Sequence, residues 1–195
     1  MKLSVKTLTI CTCFFLSQLC QAQLKMPFSP NVAQDVKKVI DDYPNRFINI
    51  MGEIQSQQSQ SIQYRCNFEV AGAEEAFVIR YPAKKDVCSW EALMITTENF
   101  DKAKNKFRNL YTQLNNLGVN IGKTQYKLHA AYESPEESMK FTSIVFSLTP
   151  ALSTNVENMK IEISMQYKEP MEWQVKLLVY DKEREDDERG NIIED

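Results

Sequence analysis

The sequence predicts an α+β fold in which an antiparallel sheet of about seven strands carries two main helices on one face. Two observations lead to this prediction. Two segments repeat apolar residues at helical spacing, and several short segments alternate apolar with polar residues, as half-buried strands do. Each element therefore has one apolar side, and helices and strands can bury these sides against each other. A sheet curled around the helices, with a ligand cavity inside, is the alternative arrangement.

The first 22 residues have the pattern of a signal peptide. "MKLSVK" is basic, "LTICTCFFLSQLC" is apolar and uncharged, and Ala22 ends a plausible cleavage site. The apolar run is too short to be a transmembrane helix, and the mature chain from Gln23 has no longer one. We therefore expect an exported protein, periplasmic or secreted, with a single mature domain over residues 23–181.

The mature domain opens with a predicted helix. Its apolar residues recur at helical spacing: Val32, Val36, Val39 and Ile40. Pro44 breaks this helix because proline lacks a backbone N–H. A second helical piece is expected to restart there and to stop at Gly52, and a polar loop is expected from Gln55.

Seven strands are predicted, three before the second helix and four after it. They are SIQYRCNFEV, AFVIRY, CSWEALMIT, TQYKLHAAY, FTSIVFSL, KIEISMQYK and EWQVKLLVYD. FTSIVFSL, from Phe141, is apolar on both faces, which is typical of a central strand. The linkers between strands have the composition of turns.

The second helix is the clearest element of the sequence. Its apolar residues fall at steps of three and four: Phe100, Ala103, Phe107, Leu110, Leu114 and Leu117. Thr97 or Asn99 caps its start and Gly118 its end. Its outer side carries four basic residues, which form either a solvated face or a surface for an acidic partner: Lys102, Lys104, Lys106 and Arg108.

Short motifs recur along the chain in the same order. "NRFINIM" from Asn45 matches "NKFRNLY" from Asn105, "QYR" matches "QYK", and "SWEALMI" matches "EWQVKLLV". We interpret them as two related units, residues 31–96 and 97–181, with one strand inserted in the second; chance matching is the alternative. The duplication predicts that Phe47 and Phe107 project from their own helices onto the sheet.

Two cysteines, Cys66 and Cys88, remain after removal of the signal peptide. An even number of cysteines in an oxidising compartment predicts a disulfide, and both fall on apolar strand faces. Two buried thiols that pack without bonding are the alternative.

The sequence contains no reactive constellation that we can identify. His129 is the single histidine, so a metal site lacks its usual partners. Glu136 and Glu137 are adjacent loop carboxylates, which usually face water rather than serve in acid–base catalysis. Trp90 and Trp173 have apolar neighbours and are expected in the core. We therefore predict no catalytic residue, no cofactor and no metal.

The partner class is only loosely constrained by the sequence. A net charge of −3 gives no attraction to nucleic acid, and phosphate-loop and dinucleotide fingerprints are missing. The prediction is an exported, non-catalytic binding or accessory protein of unknown ligand, whose partner is either a protein or a small apolar ligand. A carrier of a small apolar ligand or lipid is the first alternative, and a carboxylate-dependent hydrolase is the second. The charged tail, residues 182–195, is expected to be solvated and partly disordered.

Overall fold

The computed structural model describes residues 31–82, 87–151 and 156–182. The predicted signal peptide lies outside the described residues, and so does the charged tail apart from Lys182. Their predicted properties therefore stay predictions.

Two α-helices have the sequence-predicted apolar stripes. Helix α1 spans Val32–Asp42 and runs into a 3-10 helix at Tyr43–Asn45; helix α2 spans Phe100–Leu114. Each begins with an asparagine whose side chain accepts a backbone N–H of the first turn at 2.9 Å, Asn31 for α1 and Asn99 for α2. Asn99 was one of the two predicted caps of α2.

The strands form one antiparallel sheet. They are β1 (Met51–Gln57), β2 (Ile62–Cys66), β3 (Glu75–Tyr81), β4 (Val87–Thr97), β5 (Gly118–Ile121), β6 (Thr124–His129), β7 (Phe141–Thr149), β8 (Met159–Lys168) and β9 (Glu172–Asp181). Their order in the sheet is β1-β2-β3-β4-β9-β8-β7-β6-β5. The α+β class with two helices is confirmed, but the sheet has nine strands and not seven.

The predicted helical piece ending at Gly52 is wrong, because the chain turns after Asn45 and enters β1. The Asp42 carboxylate accepts the Asn45 side-chain amide and the Asn49 backbone N–H, both at 3.0 Å, and these bonds close the turn. Gly52 lies within β1, where an added Cβ would be only 2.8 Å from the Arg65 carbonyl oxygen. This close approach of the two strands is the reason for the glycine.

The sheet is strongly curved. In a flat sheet the edges β1 and β5 would be eight strand spacings, or about 38 Å, apart. Helix α1 connects to β1 through a short turn, yet it packs against β5 at the other edge. Helix α2 packs against β4, β8 and β9, so the strands wrap around the two helices.

The helices fill the concave side of the sheet. Fully buried side chains of α2, including Phe107 and Leu110, meet buried residues of the central strands such as Trp90 and Leu177. Burying each large apolar side chain stabilises the fold by roughly 1.5–3 kcal/mol. The convex side of the sheet carries no helix of the described residues, and we call it the open face.

The two copies of the opening motif adopt different local structures. Asn45 ends the 3-10 helix and Phe47 follows it in a turn, whereas Asn105 and Phe107 lie inside α2. Phe47 therefore does not project from a helix as expected, although both rings are fully buried. The duplication of residues 31–96 and 97–181 stays a prediction.

Candidate functional site

The centre of the open face carries two hydrogen-bonded polar pairs. Lys176 of β9 donates to Glu91 of β4 at 2.6 Å, and the Tyr180 hydroxyl donates to Glu162 of β8 at the same distance. Leu178 lies between the two carboxylates, because it pairs across the strands with both Glu91 and Glu162. Each carboxylate thus has a donor of its own, and the pairs stabilise the sheet surface rather than create a reactive group.

Ser89 is the one buried hydroxyl of this region without a hydrogen-bond partner in the described part of the chain. Its cross-strand neighbours are Ile79 and Tyr180. Neither neighbour is a general base of the kind that activates a serine. The surroundings of Ser89 therefore do not form a nucleophilic site.

An apolar stripe lies along β7 on the same open face. Met139, Phe141 and Val145 are 52%, 56% and 42% exposed. Phe141 and Val145 pair with Gln166 and Glu162 of β8, so they project on the side away from the helices. We call these three residues the β7 stripe. Large apolar side chains grouped on a surface are typical of an interaction site.

The basic cluster predicted on α2 is not one continuous surface. The Lys106 ammonium donates to the Gly72 carbonyl at 2.7 Å, and Lys104 lies over the Phe100 ring. Burial lowers the pKa of Lys106, and the nearby Glu74 carboxylate opposes this shift. Lys102 and Arg108 remain exposed, but two separated cations do not make a docking surface for an acidic partner.

The predicted disulfide is absent, since Cys66 and Cys88 are both buried and are not bonded to each other. The strand register explains why. Cys88 pairs with Arg80 on β3, whereas Cys66 follows Arg65, which pairs with Phe77. The two cysteines are therefore two strands apart and four residues apart along the sheet, or roughly 16 Å. A disulfide requires Cα atoms within about 7 Å.

The buried Cys66 thiol is also expected to be unreactive. Burial raises its pKa, and the backbone of Phe68 and the Trp90 indole act weakly in the other direction. A thiol with a raised pKa is a poor nucleophile at neutral pH. Cys66 therefore serves the core rather than a reaction.

The remaining sequence candidates lie apart from one another. His129 ends β6 and pairs with Ser147 of β7. Glu136 and Glu137 are exposed in the loop that precedes β7. Among the described residues no group of three or more His, Cys, Asp or Glu side chains is arranged to hold a metal ion. Trp90 and Trp173 are buried, as expected for core residues.

The sequence carries a signal for the β7 stripe, but the pattern predicts a buried strand instead of a surface patch. FTSIVFSL is apolar on both faces, and this predicted a central strand. The structure places β7 third from the β5 edge, with Ile144 and Phe146 in the core and Phe141 and Val145 exposed. The second apolar face therefore marks a surface patch instead of burial on both sides.

Comparisons with family models, with curated proteins and with solved structures gave no match. In the described residues no helix is both long and apolar enough to span a bilayer.

Proposed function

We propose that this is an exported, non-catalytic binding protein that recognises another polypeptide through the β7 stripe. The observation that supports the proposal is the exposure of Phe141 and Val145 on β7 and of Met139 in the turn just before it. Covering such side chains contributes roughly 1.5–3 kcal/mol for each one fully buried. The three side chains are already about half buried, so covering them supplies only part of the free energy of binding, and further contacts with the partner must offset the cost of association.

The contrast with the rest of the open face favours this location. Leu178, at the centre, is flanked by the two carboxylate pairs and is only half exposed. Phe141 and Val145 have polar neighbours on β8, Gln166 and Glu162, but no apolar cover among the described residues. The β7 stripe thus departs from an ordinary solvated sheet surface.

The two alternatives have less support. A carrier of an apolar ligand needs an empty cavity between sheet and helices, and that space holds fully buried side chains such as Phe107, Leu110 and Leu114. A hydrolase needs two acids that share a cleft. Glu136 and Glu137 are exposed on a loop, and Glu91 and Glu162 already have donors.

Site-specific photo-crosslinking tests the proposal. A photoreactive p-benzoylphenylalanine replaces Val145, and in a matched control it replaces Gln113, which is exposed on α2. Both proteins are irradiated in the compartment where the chain accumulates. We expect a discrete cross-linked product from position 145 only. Identical products, or none, from both positions would contradict the proposal.

A further inference from the structure

Among the described residues, about half of β7 is paired with another strand on one side only. β6 pairs with β7 only from Lys127 to His129, opposite Thr149 to Ser147. From Phe141 to Phe146, β7 pairs with β8 on its other side. In the described part of the chain no backbone hydrogen bond reaches this segment from the side of β6.

The hydrogen-bond pattern identifies which residues face this gap. The Tyr167 N–H donates to the Lys140 carbonyl at 2.8 Å, so every second residue from Lys140 onward bonds to β8. Phe141, Ser143 and Val145 must then direct their N–H and C=O groups toward the gap. The other ladder agrees, because Leu128 bonds to Leu117 on the β5 side and leaves its neighbours to face β7.

Anchoring contacts on α2 explain why β6 stops short of the gap. The Ala130 N–H donates to the Asn115 side chain at 3.3 Å, and the Ala130 carbonyl accepts the Tyr111 hydroxyl at 3.0 Å. Tyr132 then packs on Tyr111, with ring centroids 4.9 Å apart. The chain is diverted toward the helix, and the following residues, with Pro135 among them, have poor strand propensity.

The other two edges of the sheet are protected in recognisable ways. β1 carries two irregularities in its pairing with β2, between Met51 and Ile54 and between Ile54 and Ser56. Such bulges hinder the addition of another strand. β5 is only four residues long and packs against α1. In the described residues, β7 is nine residues long and has no irregularity in its pairing with β8.

We propose that the partner binds as an additional β-strand in this gap, along Phe141–Val145. The inference rests on the proposed function and specifies how the partner binds. Donors and acceptors that alternate along a strand are matched only by another extended backbone. Phe141 and Val145 project their side chains to the open face, where side chains of the added strand would flank them. The segment Phe141–Val145 is five residues long, or ~17 Å of extended chain, and this sets the length of the strand that can pair with it.

A second copy of this chain fits the gap less well than a separate segment. If β7 of one copy paired with β7 of another, β6 of each copy would lie in the same layer as the other's β7. Since β6 covers Ser147 and Thr149, it would meet the residues that precede Phe141 in the other copy. A short extended segment avoids this collision.

Amide hydrogen exchange on the free protein gives the first test. We expect the amides of Phe141, Ser143 and Val145 to exchange about a hundredfold faster than those of Thr142 and Ile144, because only the latter bond to β8. A Ser143 amide as protected as that of Ile144 would show that the edge is already occupied, and the inference would be overturned.

Binding of selected peptides gives the second test. Ten-residue peptides are selected from a random phage-displayed library on the wild-type protein. Ser143→Pro removes a backbone donor that faces the gap, whereas Ser143→Ala removes only the hydroxyl. We expect the proline variant to bind about tenfold more weakly or worse and the alanine variant to bind within about twofold of wild type. The peptides should also protect the three edge amides from exchange, which remains measurable if Ser143→Pro does not fold.

A third variant, Val145→Glu, separates this inference from the proposed function. One outcome is a set of peptides that bind Ser143→Pro but no longer bind Val145→Glu, and that leave the edge amides of the wild type unprotected. Such peptides would lie on the open face without joining the sheet. That result overturns the strand inference and leaves the proposed function intact. Peptides insensitive to both variants would overturn both. Self-association of the wild type that Ser143→Pro abolishes would assign the edge to a second copy and overturn the choice of partner.

Discussion

Phe47 and Phe107 can each be replaced by alanine or by glycine. We expect the glycine variant to be the more stable of the two at position 47 and the less stable of the two at position 107. Both rings are fully buried, and Phe47 also makes an edge-on contact with Tyr43 at 5.8 Å between centroids. Their backbones differ. Phe47 has a φ of 59°, in the left-handed region, whereas Phe107 lies in the middle of α2.

Loss of the ring should lower the free energy of unfolding by about the same amount at both positions. Truncation to alanine costs about 3–5 kcal/mol, a large part of the 5–15 kcal/mol typical of a domain. Glycine tolerates the left-handed region better than alanine by about 1 kcal/mol, and it is worse in a helix interior by about the same amount. Phe47→Gly should therefore be more stable than Phe47→Ala, and Phe107→Gly less stable than Phe107→Ala.

Guanidinium unfolding followed by tryptophan fluorescence measures all four variants, because Trp90 and Trp173 are both buried. The quantity of interest is the difference in the free energy of unfolding between the glycine and alanine variants at each position. It is expected to be positive at position 47 and negative at position 107. The same sign at both positions would refute the assigned backbone of Phe47, and would favour the equivalence that the repeated motif implied.

Three further predictions concern other parts of the chain. Thiol titration of the unfolded, unreduced protein should find both Cys66 and Cys88 reactive, while the native protein should react slowly; no reactive thiol would mean that a disulfide forms after all. Burial lowers the pKa of Lys106 in the folded protein below the usual 10.5. Between the folded and unfolded pKa values the unfolded chain therefore binds more protons than the folded one. In that pH window the free energy of unfolding of the wild type, relative to Lys106→Met, should rise with pH. Unfolding of both proteins at several alkaline pH values checks the sign, and a falling difference would contradict it. N-terminal sequencing of exported material should find Gln23 first, and intact Met1 would reject cleavage.

Much of the fold could be predicted because its elements bury one side. The stripe of α2 and the alternation of β8 and β9 follow directly from packing against a core. β1 and β5 could not be found in this way. β1 is an edge strand whose Ile54 is exposed, so its side chains do not alternate, and β5 has only four residues. The periodic signal fails where burial is slight.

The disulfide prediction failed for a related reason. Alternation indicates which face of a strand a cysteine occupies, and both cysteines do lie in the core. Alternation does not indicate how far along its strand each cysteine lies relative to the other, because that depends on strand register. Because Cys88 lies opposite Arg80 and Cys66 lies beyond the Arg65–Phe77 pair, the shared face does not bring the sulfurs together. The unpaired edge of β7 could not be predicted from the sequence either, because it depends on where β6 leaves the sheet.

The coincidence of two features on β7 strengthens the case for a binding role. An exposed apolar side chain alone is ordinary, and so is a short unpaired edge closed by water. On β7 the backbone groups that face the gap and the exposed apolar side chains belong to the same residues, Phe141 and Val145. Elsewhere on the open face, Leu178 is flanked by the Lys176–Glu91 and Tyr180–Glu162 pairs. A single added strand would satisfy both features of β7 at once, whereas a partner lying across the face would leave the edge unpaired.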